Sequence, residues 1–262
     1  MNGQTSTALV TGANSGIGYA ICRELARRGF SLLMVSYEKE SLDEAASGLE
    51  SEFGIKTAVC CMDLAQRDSA LSLFDYCKEN NFVIDILVNN AGIFFFKDVI
   101  NTSPELIEKI IYLHNYTPVM LTSLFARKMI TDNRKGYIIN LASVSSRMMM
   151  PGIALYSSTK SFIRCFSRAM RNEIFDKGVS ITTISPGAVA TNLYNLPERY
   201  LKLGKNLGII MTPQRLASLA VKKMFRKKAE YIPGGFINRF FILIVMLMPE
   251  RLVRWIKNKL PG

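Results

Sequence analysis

From its first residues the chain alternates short β-rich runs with longer stretches in which apolar positions recur every three or four residues. The pattern predicts strands at 7–10, 31–35, 56–62, 84–89, 136–141 and 180–185, with helices at 16–28, 39–53 and in the later gaps. Strands and helices in strict alternation imply βαβ units and a parallel sheet. The runs at 84–88 and 137–141 are mainly apolar without a polar face, as expected of strands covered by helices on both sides. The pattern changes after Pro186, where Gly, Pro and Asn become frequent, and again near Lys222, where the chain turns basic and then very apolar.

The first strand runs into Thr11-Gly12-Ala13-Asn14-Ser15-Gly16-Ile17-Gly18, and a helical stretch with Ile21, Leu25 and Ala26 on one face follows. A strand, a glycine turn and a helix start together suit a pyrophosphate. Gly12 permits the tight turn, Gly16 lets backbone approach phosphate, Gly18 lets helix and strand pack closely, and the helix N-terminus favours the anion. The spacing is G-x-x-x-G-x-G rather than G-x-G-x-x-G, so the turn alone identifies nothing. The second strand ends in Val35-Ser36-Tyr37-Glu38-Lys39. Ser36 stands where an NAD site places a carboxylate for the ribose 2′-hydroxyl. A 2′-phosphate would not be repelled by Ser36, and Ser36 or Lys39 could help hold it, so NADP(H) is favoured over NAD(H).

Four more segments complete a pattern: Asn89-Asn90-Ala91-Gly92, Asn115, Ser143, and Tyr156-Ser157-Ser158-Thr159-Lys160. With the glycine turn they resemble the short-chain dehydrogenase/reductase family in order and spacing, over roughly residues 5 to 195. The resemblance implies a single-domain α/β fold with a doubly wound, Rossmann-like parallel sheet. It implies a catalytic set of Asn115, Ser143, Tyr156 and Lys160. It also implies a cofactor site of Gly12, Asn14, Ser15, Gly16, Ile17, Gly18, Ser36, Tyr37, Lys39, Asp63, Leu64, Asn90, Ala91, Gly92, Pro186, Gly187, Val189 and Thr191, shared with Tyr156 and Lys160. By resemblance, Lys160 contacts the nicotinamide ribose, Asn115 holds a proton-relaying water, and the protein forms a homodimer or homotetramer.

The chemistry of the site can be argued without the family. Residues four apart on a helix share a face, so Lys160 can hold its ammonium near the Tyr156 hydroxyl. A nearby cation favours phenolate over phenol, which suits Tyr156 to proton transfer. Ser143 can donate a hydrogen bond to a substrate carbonyl oxygen and stabilise its developing charge. His114, the one histidine, reads as a packed imidazole. Arg164, Arg168 and Arg171 read as a solvated face or an oligomer contact.

Apolar stretches at Ile93-Phe94-Phe95-Phe96 and Met148-Met149-Met150 flank this set and suit a bulky apolar ligand, with Phe94, Met149, Met150 and Tyr194 as candidate contacts. Residues 191–212 resemble a substrate lid. The expected substrate is a ketone or secondary alcohol on a steroid or long acyl chain. A 3-oxoacyl chain on acyl carrier protein is one alternative, and a dinucleotide-binding sensor without catalysis is another.

Composition then sharpens the picture. Apolar residues make up 49% and charged residues 21% of the 262, the balance of a packed domain. A single histidine excludes the commonest zinc sites and most Ser-His or Cys-His nucleophiles, and no metal site is expected. Five cysteines without a C-x-x-C pair suit free thiols, and the short polar N-terminus suits a cytoplasmic location. The net charge is +12, of which residues 222–262 carry ten Lys and Arg against two Glu, or 10 − 2 = +8. The excess is therefore local, and no nucleic-acid motif accompanies it. The division expected is a catalytic domain at 1–221 and a helical extension at 222–262. Within that extension Phe240–Met248 gives nine apolar residues, against about 20 for a membrane span. Leu252, Val253, Trp255, Ile256 and Leu260 with Arg254, Lys257 and Lys259 suit an amphipathic helix on a domain, a partner subunit or a membrane surface.

Overall fold

The computed structural model describes residues 6–191, 210–234, 244 and 248–257. Strands β1 (Thr7–Thr11), β2 (Ser31–Ser36), β3 (Thr57–Cys61), β4 (Ile84–Asn89), β5 (Gly136–Leu141), β6 (Val179–Ile184) and β7 (Glu230–Tyr231) form one sheet. Its order is β3-β2-β1-β4-β5-β6-β7, and every neighbouring pair is parallel. The connections run through α1 (Gly16–Ala26), α2 (Lys39–Phe53), α3 (Ser69–Glu79), α4 (Pro104–Ile111), α5 (Thr117–Thr131), α6 (Ala154–Glu173) and α7 (Pro213–Phe225), and α8 (Glu250–Lys257) follows.

The strands lack a polar face because both faces are buried. In β1, Ala8 and Val10 join one apolar cluster and Leu9 the other; in β2, Leu32 and Met34 separate from Leu33 and Val35 in the same way. Helix α1 closes the first cluster with Ile21, Cys22 and Leu25, packed beside Leu216, Ala220, Val221 and Met224 of α7. Leu73 and Cys77 of α3 and Leu121, Phe125 and Met129 of α5 close the second. Removing a fully buried leucine from either layer would cost about 2–5 kcal/mol.

A polar chain runs through the middle of the molecule. The Asn89 amide donates to Asn140 Oδ1 at 2.7 Å and to Thr122 Oγ1 at 3.0 Å, and the Asn140 amide donates to Ser167 Oγ at 2.8 Å. All four side chains are buried, so these bonds pair both side-chain amides where water cannot reach and fix α6 against β4 and β5, while Asn89 Oδ1 has no partner among the described residues. After β3 the chain returns to place β4 beside β1, so the strand order reverses there. In an open parallel sheet the crevice at that reversal, beyond the carboxyl ends of the strands, is where ligands bind.

The seventh strand arises inside the basic segment that charge patterning sets apart. Thr183 pairs with Glu230 and Ile184 with Tyr231, and α7 runs on to Phe225, so the sheet continues past residue 221. Tyr194 and most of the lid segment 191–212 lie outside the described residues, as do 235–243 of the extension.

Candidate active site

At the reversal the glycine turn begins with Gly12 in the left-handed region at φ +63°. A Cβ at Gly18 would collide with the Gly12 carbonyl oxygen, so the close helix and strand approach depends on that position having no side chain. Thr11 and Asn90 lock the turn to β4. Thr11 Oγ1 accepts from the Asn90 and Ala91 amides at 2.9 and 3.0 Å, and the Asn90 side chain donates to the carbonyls of Thr11 and Gly12. Ser15 caps α1 in extended backbone without a side-chain hydrogen bond to it, leaving the first-turn N–H groups to an anion.

A cavity of about 680 Å³ starts at this turn. Its walls include Gly12, Asn14, Ser15, Gly16, Ile17, Ser36, Tyr37, Asp63, Leu64, Asn90, Ala91, Gly92, Pro186, Gly187, Val189 and Thr191, and it ends at Phe94, Ser143, Tyr156 and Lys160. Gly18 lies beneath the turn and off the lining. Lys39 is also off it, its ammonium 2.8 Å from Asp43 on its own helix. Glu38 lines the wall instead. Its carboxylate accepts from the Asn14 amide and the Ser41 hydroxyl, both at 3.1 Å, and holds the Tyr37 phenol above its ordinary pKa through a hydrogen bond. Ser36 donates to Asn14 Oδ1 at 2.9 Å.

At the far end Ser143, Tyr156 and Lys160 are all buried. Ser143 follows β5 and its Oγ accepts from the Ser145 amide at 3.1 Å, which leaves its hydroxyl proton to be donated. Lys160 sits one turn after Tyr156 on α6. Its Nζ is 5.7 Å from the Tyr156 ring centroid and donates to the Leu141 carbonyl at 3.1 Å. Burial brings the Lys160 pKa down to about 8. Phe94 meets the Tyr156 ring edge to face at 5.0 Å and supplies an apolar wall beside the hydroxyl-bearing ring. Met149 and Met150 do not reach the cavity, and Met149 is 83% exposed.

Asn115 is off the cavity lining. It lies in a π-helical turn, Tyr112–Tyr116, between α4 and α5, and its amide donates to the carbonyls of His114 and Thr159 at 3.1 and 2.8 Å. That bond ties the turn to the Tyr156 helix. His114 is more than a packing residue. It lines the cavity, accepts from the Ile93 amide at 3.0 Å through Nε2, and is 3.0 Å from Thr159 Oγ1 through Nδ1. With Nε2 accepting, the proton belongs on Nδ1, and burial followed by the neighbouring Lys160 charge holds the imidazole neutral, well below its usual pKa. Sequence reasoning also missed Tyr19, Met62, Lys109, Leu113, Ala142, Ala190, Pro213 and Gln214 on the lining. For His114 the adjacency to Asn115 was the available signal.

The three arginines of α6 are not a free solvated face. Arg164 and Arg168 pair with Glu230 on β7, and Arg171 donates to Ser180 Oγ and to the carbonyls of Ile181 and Lys227.

A family profile described as short chain dehydrogenase matches residues 6–198. Very-long-chain 3-oxoacyl-CoA reductase-B of Danio rerio is 34% identical over 97% of this chain and 84% of its own length. The corresponding human reductase is 32% identical over 74% of this chain and 66% of its own length, so the chain spans about two thirds of several such relatives. Among solved structures, a short-chain dehydrogenase from Sphingobium yanoikuyae in complex with NADPH superposes with a TM-score of 0.79 at 25% identity, covering 98% of this chain and 97% of that one. A bulky-bulky ketone specific alcohol dehydrogenase from Comamonas testosteroni gives 0.78 at 27%, covering 98% and 95%. With fold, turn and profile in agreement, the chain belongs to the short-chain dehydrogenase family and is an NAD(P)-dependent oxidoreductase.

Proposed function

We propose that this protein reduces the ketone of a long-chain 3-oxoacyl thioester to the secondary alcohol, using NADPH. The observation that carries the reading is the cavity itself, which joins the phosphate-binding turn to a buried Ser143, Tyr156 and Lys160 beside the apolar wall of Phe94. The reductases named above support the acyl chain over a steroid. Support for NADPH over NADH comes from Ser36 at the end of β2 and from the Sphingobium complex. When bound, the reduced nicotinamide supplies hydride to the carbonyl carbon.

The chain's own residues do the rest. Gly12, Gly16 and the first turn of α1 receive the pyrophosphate. Ser143 donates a hydrogen bond from its hydroxyl to the substrate carbonyl oxygen and stabilises the charge that grows there. Tyr156 gives that oxygen its phenolic proton, and the Lys160 ammonium stabilises the phenolate left behind. Asn115, its amide committed to His114 and Thr159, holds the turn from which a relaying water would return a proton.

Two surfaces extend the proposal. Phe162 of α6, Ile111 and Tyr116 are exposed on the face where a second copy would pack to make a homodimer or homotetramer. Helix α8 places Leu252 and Trp255 in solvent beside Arg251 and Arg254, which suits an anionic membrane surface. Among the described residues no helix is long and apolar enough to cross a membrane.

Tyr156→Phe tests the reading. Turnover of 3-oxoacyl thioesters should fall at least about a thousandfold with NADPH affinity within about threefold. Retained turnover overturns the assignment, and a wild type inert to acyl-CoA, acyl-carrier and steroid ketones alike while binding NADPH would favour a sensor.

A further inference from the structure

The carboxylate of Glu230 is 10% exposed and receives hydrogen bonds from three different segments of the chain. Arg147 pairs with it from the end of the 3₁₀ turn Val144–Arg147, which Ser143 begins. Arg164 Nε is 2.9 Å away and Arg168 Nη1 3.2 Å away, one and two turns beyond Lys160 on α6. Ser185 Oγ donates at 3.1 Å from the residue just before Pro186 and Gly187 of the cavity wall. One partly buried acid thus meets the segment of Ser143, the helix of the tyrosine and lysine, and the loop of the cofactor wall.

We propose that Glu230 is a positioning residue that sets Ser143, the Tyr156 helix and the Pro186–Gly187 loop relative to one another. The inference rests on the reductase reading of the site. Three guanidinium groups around a single carboxylate leave a local excess of two positive charges. Arg147 is itself only 13% exposed, so water screens its charge poorly and the carboxylate must balance it, whereas Arg164 and Arg168 are 29% and 52% exposed and share that task with solvent. Burial alone would raise the carboxyl, but the Arg164 and Arg147 bonds together outweigh it and hold the pKa down to about 2, which keeps the group charged throughout the range in which the enzyme works. A second tie reinforces the arrangement: Ser161 of α6 donates to the Ser146 carbonyl at 2.7 Å. If the anchor is lost, each segment keeps its own fold but not its mutual distance, and misplacement by about 1 Å can cost on the order of 10²-fold in rate.

Glu230→Gln in the full chain is the test. Amide hydrogen exchange of the ligand-free protein should accelerate about tenfold or more at residues 143–150 and 185–190 and stay unchanged at 12–18. With NADPH and a 3-oxoacyl thioester, kcat should fall about tenfold or more while the KM for NADPH rises less, by about threefold at most, because the Pro186–Gly187 wall loosens but the glycine turn touches none of these groups. Arg147→Gln should accelerate exchange at 143–150 alone, with a smaller loss of kcat, and it carries the test if Glu230→Gln does not fold. An unchanged kcat in a folded variant overturns the proposal, whatever happens to its melting temperature, since a purely stabilising ion pair would lower that midpoint alone. A wild type without turnover sinks the reductase reading instead, and the exchange pattern then decides the positioning role by itself.

Discussion

At the scale of single residues, the site divides by how far its chemistry reaches along the chain. The glycine turn and the Tyr156 to Lys160 spacing were legible because turn and helix geometry act over a few residues. Glu38 was visible close to Ser36 at the end of β2, but its place on the wall was not, because its partner Asn14 lies 24 residues away and that place depends on how β2 meets the turn. Its carboxylate is on the wall near Ser36, the side on which a 2′-phosphate is expected, so it opposes the extra charge of NADPH. Glu38→Gln keeps the acceptor for Asn14 and removes that charge. KM for NADPH should then fall by about two- to fivefold, as expected for one exposed charge pair of about 0.5–1 kcal/mol, with KM for NADH nearly unchanged. Steady-state assays with both cofactors check this, and an equal change for the two would mean that Glu38 does not sense the 2′ position. Lys160 shows the opposite kind of tuning, since burial alone brings its pKa to about 8 and the ammonium that supports Tyr156 gives way to neutral amine above that pH.

Among the elements, long periodic ones were read well and short irregular ones were not. Strand β4 and helix α2 span the residues that the pattern predicted, 84–89 and 39–53. Strand β7 has two residues, too few for any period, and is recognisable only once β6 lies beside it. The π-helical turn at Tyr112–Tyr116 likewise leaves no local signature, although it carries both His114 and Asn115. Helix α8 returns to the legible class, with charged and apolar residues on opposite sides of a short helix. Its proposed membrane role predicts that the full chain co-sediments with vesicles containing anionic lipid and less with neutral ones, and that added salt weakens the binding. Leu252→Ser with Trp255→Ser should reduce bound protein about tenfold without altering the melting temperature, because both side chains are exposed. Equal sedimentation of the double variant would assign α8 to protein contacts.

For the molecule as a whole, acid is the expected weakness. His114 is held neutral well below its usual pKa of 6.5, so the unfolded chain takes up a proton below about that value while the folded chain does not. Glu230 goes from 4.5 to about 2 on folding, so its contribution is complete above 4.5 and is lost as pH falls towards 2. Both changes have the same sign, because in each window the unfolded state binds more protons. The midpoint of thermal unfolding should therefore drop from pH 7 to 5 through His114, and again below about 4.5 through Glu230. His114→Gln should flatten the first fall and Glu230→Gln the second. A midpoint that rises on acidification to pH 5 contradicts the assignment.

The position of Glu230 near the end of the chain also bears on how the protein is made. The chain leaves the ribosome N-terminus first, and Glu230 follows Lys160 by 230 − 160 = 70 residues. At about 5–20 residues per second, that interval lasts roughly 4–14 seconds. Through it, a nascent chain that already holds the glycine turn, Ser143, Tyr156 and Lys160 lacks the anion on which Arg147, Arg164 and Arg168 converge. Premature termination anywhere in that stretch leaves a protein with its catalytic side chains present and three arginines without that shared anion.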